Sequence, residues 1–407
     1  MMRVARNLEN LEKLLLKSRI RKNAVPDKTA RIIKGVRERG DEALTEFSRK
    51  YDKVKLLPKE FKVSESEISA AFNELDSGLI AAFKCAIENI TAFYKPQVPR
   101  QHRIKGKNGQ VMISRYVPLE RIGVYVPAGS APLVSSVYMS VLPALVAGVK
   151  EIVLVSPPGK DKRVNPFILA MASLLKIKSI YRVGGAQAVA ALAYGTKTIP
   201  KVDKIVGPGN DFVTEAKRQL FGTVDIDMLA GPSEVVVLAG KDANIDYITA
   251  DLESQMEHVN GVGIVVTNSR RIIRELRNKK ITGLALRVKT LDQACEAVNR
   301  IAPEHLEILT RKPASLLKKI KNAGAVFLGE YTPVALGDYI AGPSHVLPTG
   351  GTARFFSSLS VREFMKEMHV VQYTKKALSE EAQILETIAS LEGMTKHIES
   401  VKKRLSA

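Results

Sequence analysis

Apolar residues recur at helical spacing over Leu8 to Leu16, Asp27 to Tyr51 and Glu67 to Phe93, so residues 1 to about 118 read mostly as helices. From Arg121 the pattern changes to short β-branched runs that alternate with helical ones. Strands are expected at Ile122–Val126, Glu151–Ser156, Ile180–Val183 and Lys204–Val206, with helices at Leu133–Ala147, Pro166–Leu175 and Ala186–Tyr194 between them. Strand and helix in alternation imply a parallel sheet with crossover helices. A second series follows: strands Val235–Leu238, Val262–Thr267, Leu284–Val288, His305–Leu309 and Ala325–Leu328, with helices over Ile245–His258, Arg270–Arg277 and Asp292–Ile301. After Leu347 the chain reads as loop through Gly350 and Gly351, then as helix from Leu378 to Leu405. The fold class is therefore α/β, with two sheet-bearing units, a helical entry and a helical tail. No repeat of fixed period is visible, although two α/β units of similar size are what a distant duplication leaves.

Composition narrows the function classes. The chain has 407 residues, 45% hydrophobic and 26% charged, which is globular and neither disordered nor fibrous. Its longest apolar runs, Val141–Val149 and Val262–Thr267, fall far short of the roughly 20 residues that span a bilayer. The basic N-terminal stretch lacks an apolar core and a small-residue cleavage site, so a cytoplasmic protein is expected. Two cysteines, Cys85 and Cys295, exclude a disulfide framework or a thiolate zinc cluster within one chain, so a metal would need nitrogen and oxygen ligands. The formal charge of +20 raises nucleic acid as a partner. Residues 1–60 hold 17 Lys and Arg against 9 Asp and Glu in a helical segment, without an arginine-rich tail. That distribution favours solvated surface or attraction for anionic cofactors, and makes nucleic acid an unlikely partner.

Candidate chemistry lies in a few places. Gln255 and His258, three apart on an expected helix, put an amide oxygen and an imidazole on one face, as a metal pair or a surface pair would be. Glu304 and His305 follow Pro303 at a strand entrance, where two proton-transfer groups or a simple strand cap would stand. Asp338 and His345 lie in the glycine-rich segment GDYIAGPSHVLPTGG, whose side chains point inward or move as a lid. Glu392 and His397 sit five apart on an expected helix and read locally as surface. Glycine turns occur at Pro127–Gly129, at GGAQA (184–188), GPGN (207–210) and AGPSE (230–234), several of them after strands, where α/β sheets bind ligands. A full G-x-G-x-x-G is missing because Phe212 falls where the third glycine would be. Cys295, beside Leu291 and Val298, reads as a packing residue.

The run VDIDMLAGPSEVVVLAGKDANIDYITADLESQMEH (224–258), with VGPGNDFVTEAKR, APEHLEI and GDYIAGPSHVLPTGGTARF, resembles the histidinol dehydrogenase family over about residues 20–400. The resemblance implies an aldehyde-dehydrogenase-like fold of two incomplete Rossmann-type domains. Its expected divisions are an N-terminal arm (1–25), a first α/β domain (26–117 with 235–350), a cofactor-side domain (118–234) and a tail (351–407). It also implies oxidation of L-histidinol to L-histidine through bound histidinal, with one zinc per subunit and two NAD used in succession. Zinc ligands would be Gln255, His258, Asp338 and His397, and the proton-transfer pair Glu304 and His305. The same ligands and His305, with Ser233, His345 and Glu392, would contact substrate; Tyr125, Gln187 and Asn210 would contact NAD. A homodimer that exchanges its tails would complete each site with His397 and Glu392 of the other subunit. Asp211, and Ser344 before His345, depart from the family pattern without removing a ligand or base.

Overall fold

The computed structural model describes residues 2–19, 25–128, 132–258 and 260–406. The chain divides into two compact units, one of residues 1–97 and 119–364 and one of residues 98–118 and 365–407. In chain order the strands are β1 (Met2–Ala5), β2 (His102–Lys105), β3 (Val111–Pro118), β4 (Arg121–Tyr125), β5 (Glu151–Ser156), β6 (Ser179–Arg182) and β7 (Lys204–Val206). They continue with β8 (Asp225–Ile226), β9 (Glu234–Ala239), β10 (Val262–Thr267), β11 (Gly283–Arg287), β12 (His305–Leu309), β13 (Ala325–Leu328) and β14 (Met365–Gln372).

The larger unit contains two parallel sheets. One has the order β6-β5-β4-β7-β8, the other β1-β11-β10-β9-β12-β13. In each, the first strand of the series lies at the centre, the next two run to one side and the last two to the other. The same connection order thus occurs twice, and each sheet has a switch point, between β4 and β7 and between β9 and β12. The mixed α/β class with parallel sheets is as the strand and helix alternation implies. Central strands are buried on both faces: all six residues of β9 and all five of β12 are buried, so β9 is a nearly continuous apolar run, while β12 buries His305 and Glu307 among its apolar residues.

Three features differ from the sequence reading. The entry is not all helix, since Met2–Ala5 adds an edge strand to β11. The helices of residues 25–73, grouped above with residues 235–350, pack on the β4-centred sheet: Ile32, Leu44, Phe47 and Phe61 share a core with Val153, Val189 and Val213. Their apolar stripes face the sheet nearest in space rather than the one assigned. The third difference is the smaller unit, a three-stranded antiparallel sheet β14-β3-β2 with two helices, Lys375–Leu391 and Thr395–Leu405. Its strands are mostly exposed and carry charges, so no apolar run announces them. Of the glycine turns, Gly129 lies outside the described residues, as do Met1 and residues 20–24 of the N-terminal arm.

Candidate active site

The amino ends of β9 and β12 bring Ser233, Glu304 and His305 together. β12 starts at His305, with its neighbour β9 starting at Glu234 and the two in register at His305 and Val235. The residues just before each strand are therefore side by side. Glu304 Oε2 accepts a hydrogen bond from Ser233 Oγ at 2.5 Å and from the Glu234 amide at 2.9 Å. Burial pushes the Glu304 carboxyl above the usual carboxylate range, against the opposing pull of His305 and these two donors.

His305 is 3% exposed. Its Nδ1 lies 3.3 Å from the Glu234 carbonyl, which can only accept, so in the neutral ring Nδ1 carries the proton and Nε2 the lone pair. Nε2 is buried, has no hydrogen-bond partner and stands 3.6 Å from Asp338 Oδ1. Burial alone would lower the imidazole, but the Glu304 and Asp338 carboxylates outweigh it and hold its pKa above the ordinary value. This is an oriented base with an open lone pair, next to a second carboxyl.

Asp338, on the short helix Val334–Tyr339, faces the His305 ring at 3.6 Å and also feels the imidazoles of His345 and His258. Burial would raise it, yet the neighbouring His305 imidazole, with smaller contributions from the His345 and His258 rings, holds it below its usual value. His345 reaches the same region from an inward-turned loop whose residues Val346 to Thr349 are buried, and its Nε2 lies 3.1 Å from Ser135 Oγ. Burial pushes His345 down to about 4, with Asp338 opposing. His345 is therefore neutral at pH 7.

Gln255 and His258 are not on one helical face. The helix Ile245–Gln255 ends at Gln255, and His258 follows in an exposed turn. Two backbone positions force the stop. Asn260 is left-handed (φ 63°), and a Cβ on Gly261 would fall 2.0 Å from the Gln255 carbonyl oxygen, so only glycine lets the chain double back there. Gln255 is 3% exposed and its amide Nε2 is buried without a partner. A half-turn of that amide presents Oε1 at the same point, and an amide oxygen, a carboxylate and an imidazole, as Gln255, Asp338 and His258 would offer, are donors of the kind that a borderline cation such as zinc accepts. Among the described residues no three of His, Cys, Asp and Glu are close enough together to hold a metal. Three donors of which one is an amide leave room for a ligand from elsewhere. Glu392 and His397 are both exposed and share no helix: the first ends at Leu391 with Glu392 as its C-cap before Gly393 (φ 70°), and His397 lies in the second.

The three expected cofactor residues all stand at the carboxyl edge of the β4-centred sheet. Tyr125 ends β4, Gln187 is in the first turn of the helix after β6, and Asn210 caps the helix after β7. β4 and β7 flank the switch point, where open α/β sheets bind ligands. Gly207 packs so closely that a Cβ would lie 2.2 Å from the Tyr125 carbonyl oxygen. A buried ion pair braces this turn: Lys217 Nζ pairs with Asp227 and donates to Gly207 O at 3.0 Å, and Asp227 accepts from Gly207 N at 2.8 Å. Asn210 Oδ1 accepts from Phe212 N and Val213 N, both at 3.1 Å, so its amide nitrogen is the end left for a ligand. Tyr125 and Gln187 are 4% and 1% exposed. Cys295 is buried among Leu11, Val298 and Leu306, as a packing residue should be, and burial raises its thiol.

Sequence reasoning missed several members of this arrangement. Ser135 against His345, Asp52 against Gln187, and the carboxyl of Asp251 against that of Glu307 are pairs far apart in the chain, and no local pattern marks them.

Comparison with known proteins shows the family. The family model described as histidinol dehydrogenase matches residues 16–405. The chain is 46% identical to the histidinol dehydrogenase of Clostridium acetobutylicum over 404 residues, covering 94% of this chain and 93% of that one. It is 45% identical to that of Bacillus subtilis, with 93% and 92% covered. The crystal structure of histidinol dehydrogenase from Elizabethkingia anophelis superposes with a TM-score of 0.92 at 34% identity, covering 100% of this chain and 98% of that one. This chain belongs to the histidinol dehydrogenase family, a family of oxidoreductases.

Proposed function

We propose that the protein oxidises L-histidinol to L-histidine in two successive two-electron steps with NAD, through histidinal that stays bound. The observation that carries this reading is the pairing of two buried proton-transfer groups of unlike environment, Glu304 and His305, in a chain of this family. In the first step His305 Nε2 takes the alcohol proton as the carbinol hydrogen departs as hydride. In the second, Glu304 takes a proton from water as it adds to the aldehyde, and the carbon-bound hydrogen of the resulting hydrate departs as hydride to a second NAD, leaving the carboxylate. Ser233 and the Glu234 amide both bond to Oε2 of Glu304, so Oε1 is the oxygen that receives the water proton.

Gln255, His258 and Asp338 would hold zinc, with His397 of a second copy as the remaining ligand, so that the enzyme works as a homodimer. The family resemblance and the partnerless Gln255 amide support this. When bound there, zinc would supply a fixed electrophilic centre for the substrate's imidazole and amine and so orient the carbinol carbon. His345, Ser233 and the second copy's Glu392 would complete the substrate pocket. Tyr125, Gln187 and Asn210 would contact NAD at the switch point of the β4-centred sheet. No helix among the described residues is long and apolar enough to cross a membrane, and we place the enzyme in the cytoplasm.

The test is NADH formed per L-histidinol consumed, with and without chelator. Two NADH per substrate and loss of turnover on chelation are expected. One NADH per substrate overturns the role given to Glu304, and no turnover overturns the substrate.

A further inference from the structure

We propose that Asp52 is a positioning residue for the cofactor, which accepts the Gln187 Nε2–H and so fixes the orientation of that amide at the Gly184–Gly185 turn. The inference rests on the reading of Gln187 as a contact to NAD.

Asp52 and Gln187 are 135 positions apart and come together through an irregular element. The helix Asp41–Phe47 continues into one wide π-turn, Ser48–Asp52, closed by Lys53 in the left-handed conformation (φ 60°). Single π-turns are uncommon and recur at functional sites, because the extra residue per turn re-aims the side chains that follow. Here the turn delivers the Asp52 carboxylate to the N-terminus of the ten-residue helix Gly185–Tyr194. Asp52 Oδ2 lies 3.3 Å from Gln187 Nε2, and a Cβ on Gly184 would stand 3.4 Å from Oδ1.

The other end of the amide is equally confined. A Cβ on Gly185 (φ 65°) would be 2.7 Å from Gln187 Oε1, so this oxygen occupies the space that glycine leaves. Gly185 N in turn donates to Tyr125 Oη at 3.1 Å. Asp52, Gln187, the glycine pair and Tyr125 thus form one connected group that includes two of the three expected cofactor residues. Gln187 is 1% exposed, so its amide has no bulk water with which to rearrange.

Charge decides which way the amide points. An ionised carboxylate only accepts, so it selects the NH2 end of Gln187; a protonated one also donates, and then accommodates either end. Burial pushes Asp52 up to about 6, with the Gln187 N–H and the Ser48 hydroxyl opposing. The titratable neighbour facing it is Tyr125, itself pushed up to about 12 by burial and so neutral, and no charged side chain contributes to the Asp52 shift. The selection is therefore in force at pH 7 and relaxes as the pH falls through about 6.

The experiment measures Kd for NAD by calorimetry on the full-length enzyme between pH 5 and 8, alongside KM for NAD, kcat and a thermal melt. The expected result for D52A is a Kd raised about tenfold at pH 7.5 with kcat changed much less, the pattern of a lost orienting hydrogen bond. D52N offers Gln187 both an acceptor and a donor and cannot ionise, so it stands in for protonated Asp52. It should bind NAD at every pH about as wild type does below pH 6, with no inflection of its own. A D52A protein that melts earlier yet binds NAD as wild type has lost only stability, and overturns the proposal. So does a D52N protein that keeps the wild-type inflection. Q187A separates the two ways of failing. If it raises Kd and D52A does not, only the role of Asp52 falls. If neither changes Kd, Gln187 is not a cofactor contact and the reading beneath the proposal falls as well.

Discussion

Glu307→Gln should make the protein's stability less dependent on pH. Glu307 is 1% exposed in the middle of β12, in register with Val237 and Phe327, on the face that packs against Ile248 and Leu252 of the helix Ile245–Gln255. Asp251 of that helix hydrogen-bonds to it. Burial, with the nearby Asp251 charge adding to it, pushes Glu307 from 4.5 up to about 9. Between those values the folded chain holds one proton that the unfolded chain has released. Stability contributed by this proton is complete at acid pH and is lost as pH rises, at no more than about 1.4 kcal/mol per pH unit. From pH 6 to pH 8 the wild type should therefore fall by up to about 3 kcal/mol relative to the variant. Glutamine keeps a donor for Asp251 and has no proton to lose. Urea denaturation of both proteins at pH 6, 7 and 8 gives the comparison. Parallel stability curves would falsify the one-proton account, and a variant that loses stability faster than wild type as pH rises would reverse its sign. The same pair ties the helix that carries Gln255 to the strand that carries His305, so the experiment also reports on the scaffold of the site.

Other perturbations separate the remaining roles. Lys217→Met leaves Asp227 charged and buried at the Gly207 turn, which should cost about 3–5 kcal/mol, while Lys217→Met with Asp227→Asn should recover much of it; equal melting temperatures for the two would show that the stranded charge is not the cause. His258→Asn should lose bound zinc and activity together, so full activity in metal-depleted mutant protein removes His258 from the site. Glu304→Gln should slow oxidation of histidinal far more than oxidation of histidinol, and an equal fall in both half-reactions refutes the division between Glu304 and His305. Mixing Glu304→Gln protein with His397→Ala protein should restore part of the activity once subunits exchange. No recovery in demonstrated mixed dimers would mean that each site is built from one chain.

Much of the α/β framework was legible because its strands are buried on both faces. Glu151–Ser156 and Val262–Thr267 have the boundaries that their apolar runs give them, and His305–Leu309 and the partly buried edge strand Ala325–Leu328 also fall where the sequence places them. The strands of the smaller unit escaped because β2 is exposed throughout and β14 nearly so, and an exposed strand is under no pressure to be apolar. Edge strand Met2–Ala5 has only four residues, too few to show a period. At the site, adjacency told the truth for Glu304 and His305, since chain neighbours stay together whatever the fold. It misled for Gln255 and His258, where a helical period was extended past the turn that Asn260 and Gly261 impose.

The sequence by itself determined which segments must be buried, and with them the alternation of strand and helix, that two cysteines cannot build a disulfide framework or a thiolate zinc cluster within one chain, and the motifs that identify the family. Only the tertiary structure decided which of the two sheets each helix covers, that β9 and β12 lie side by side so that Ser233 meets Glu304, and that Asp338 stands 3.6 Å from His305. Hydrophobic patterning is a local property that survives in one dimension. The pairing of polar groups across 70 to 135 positions depends on strand order and on single turns that no periodicity records.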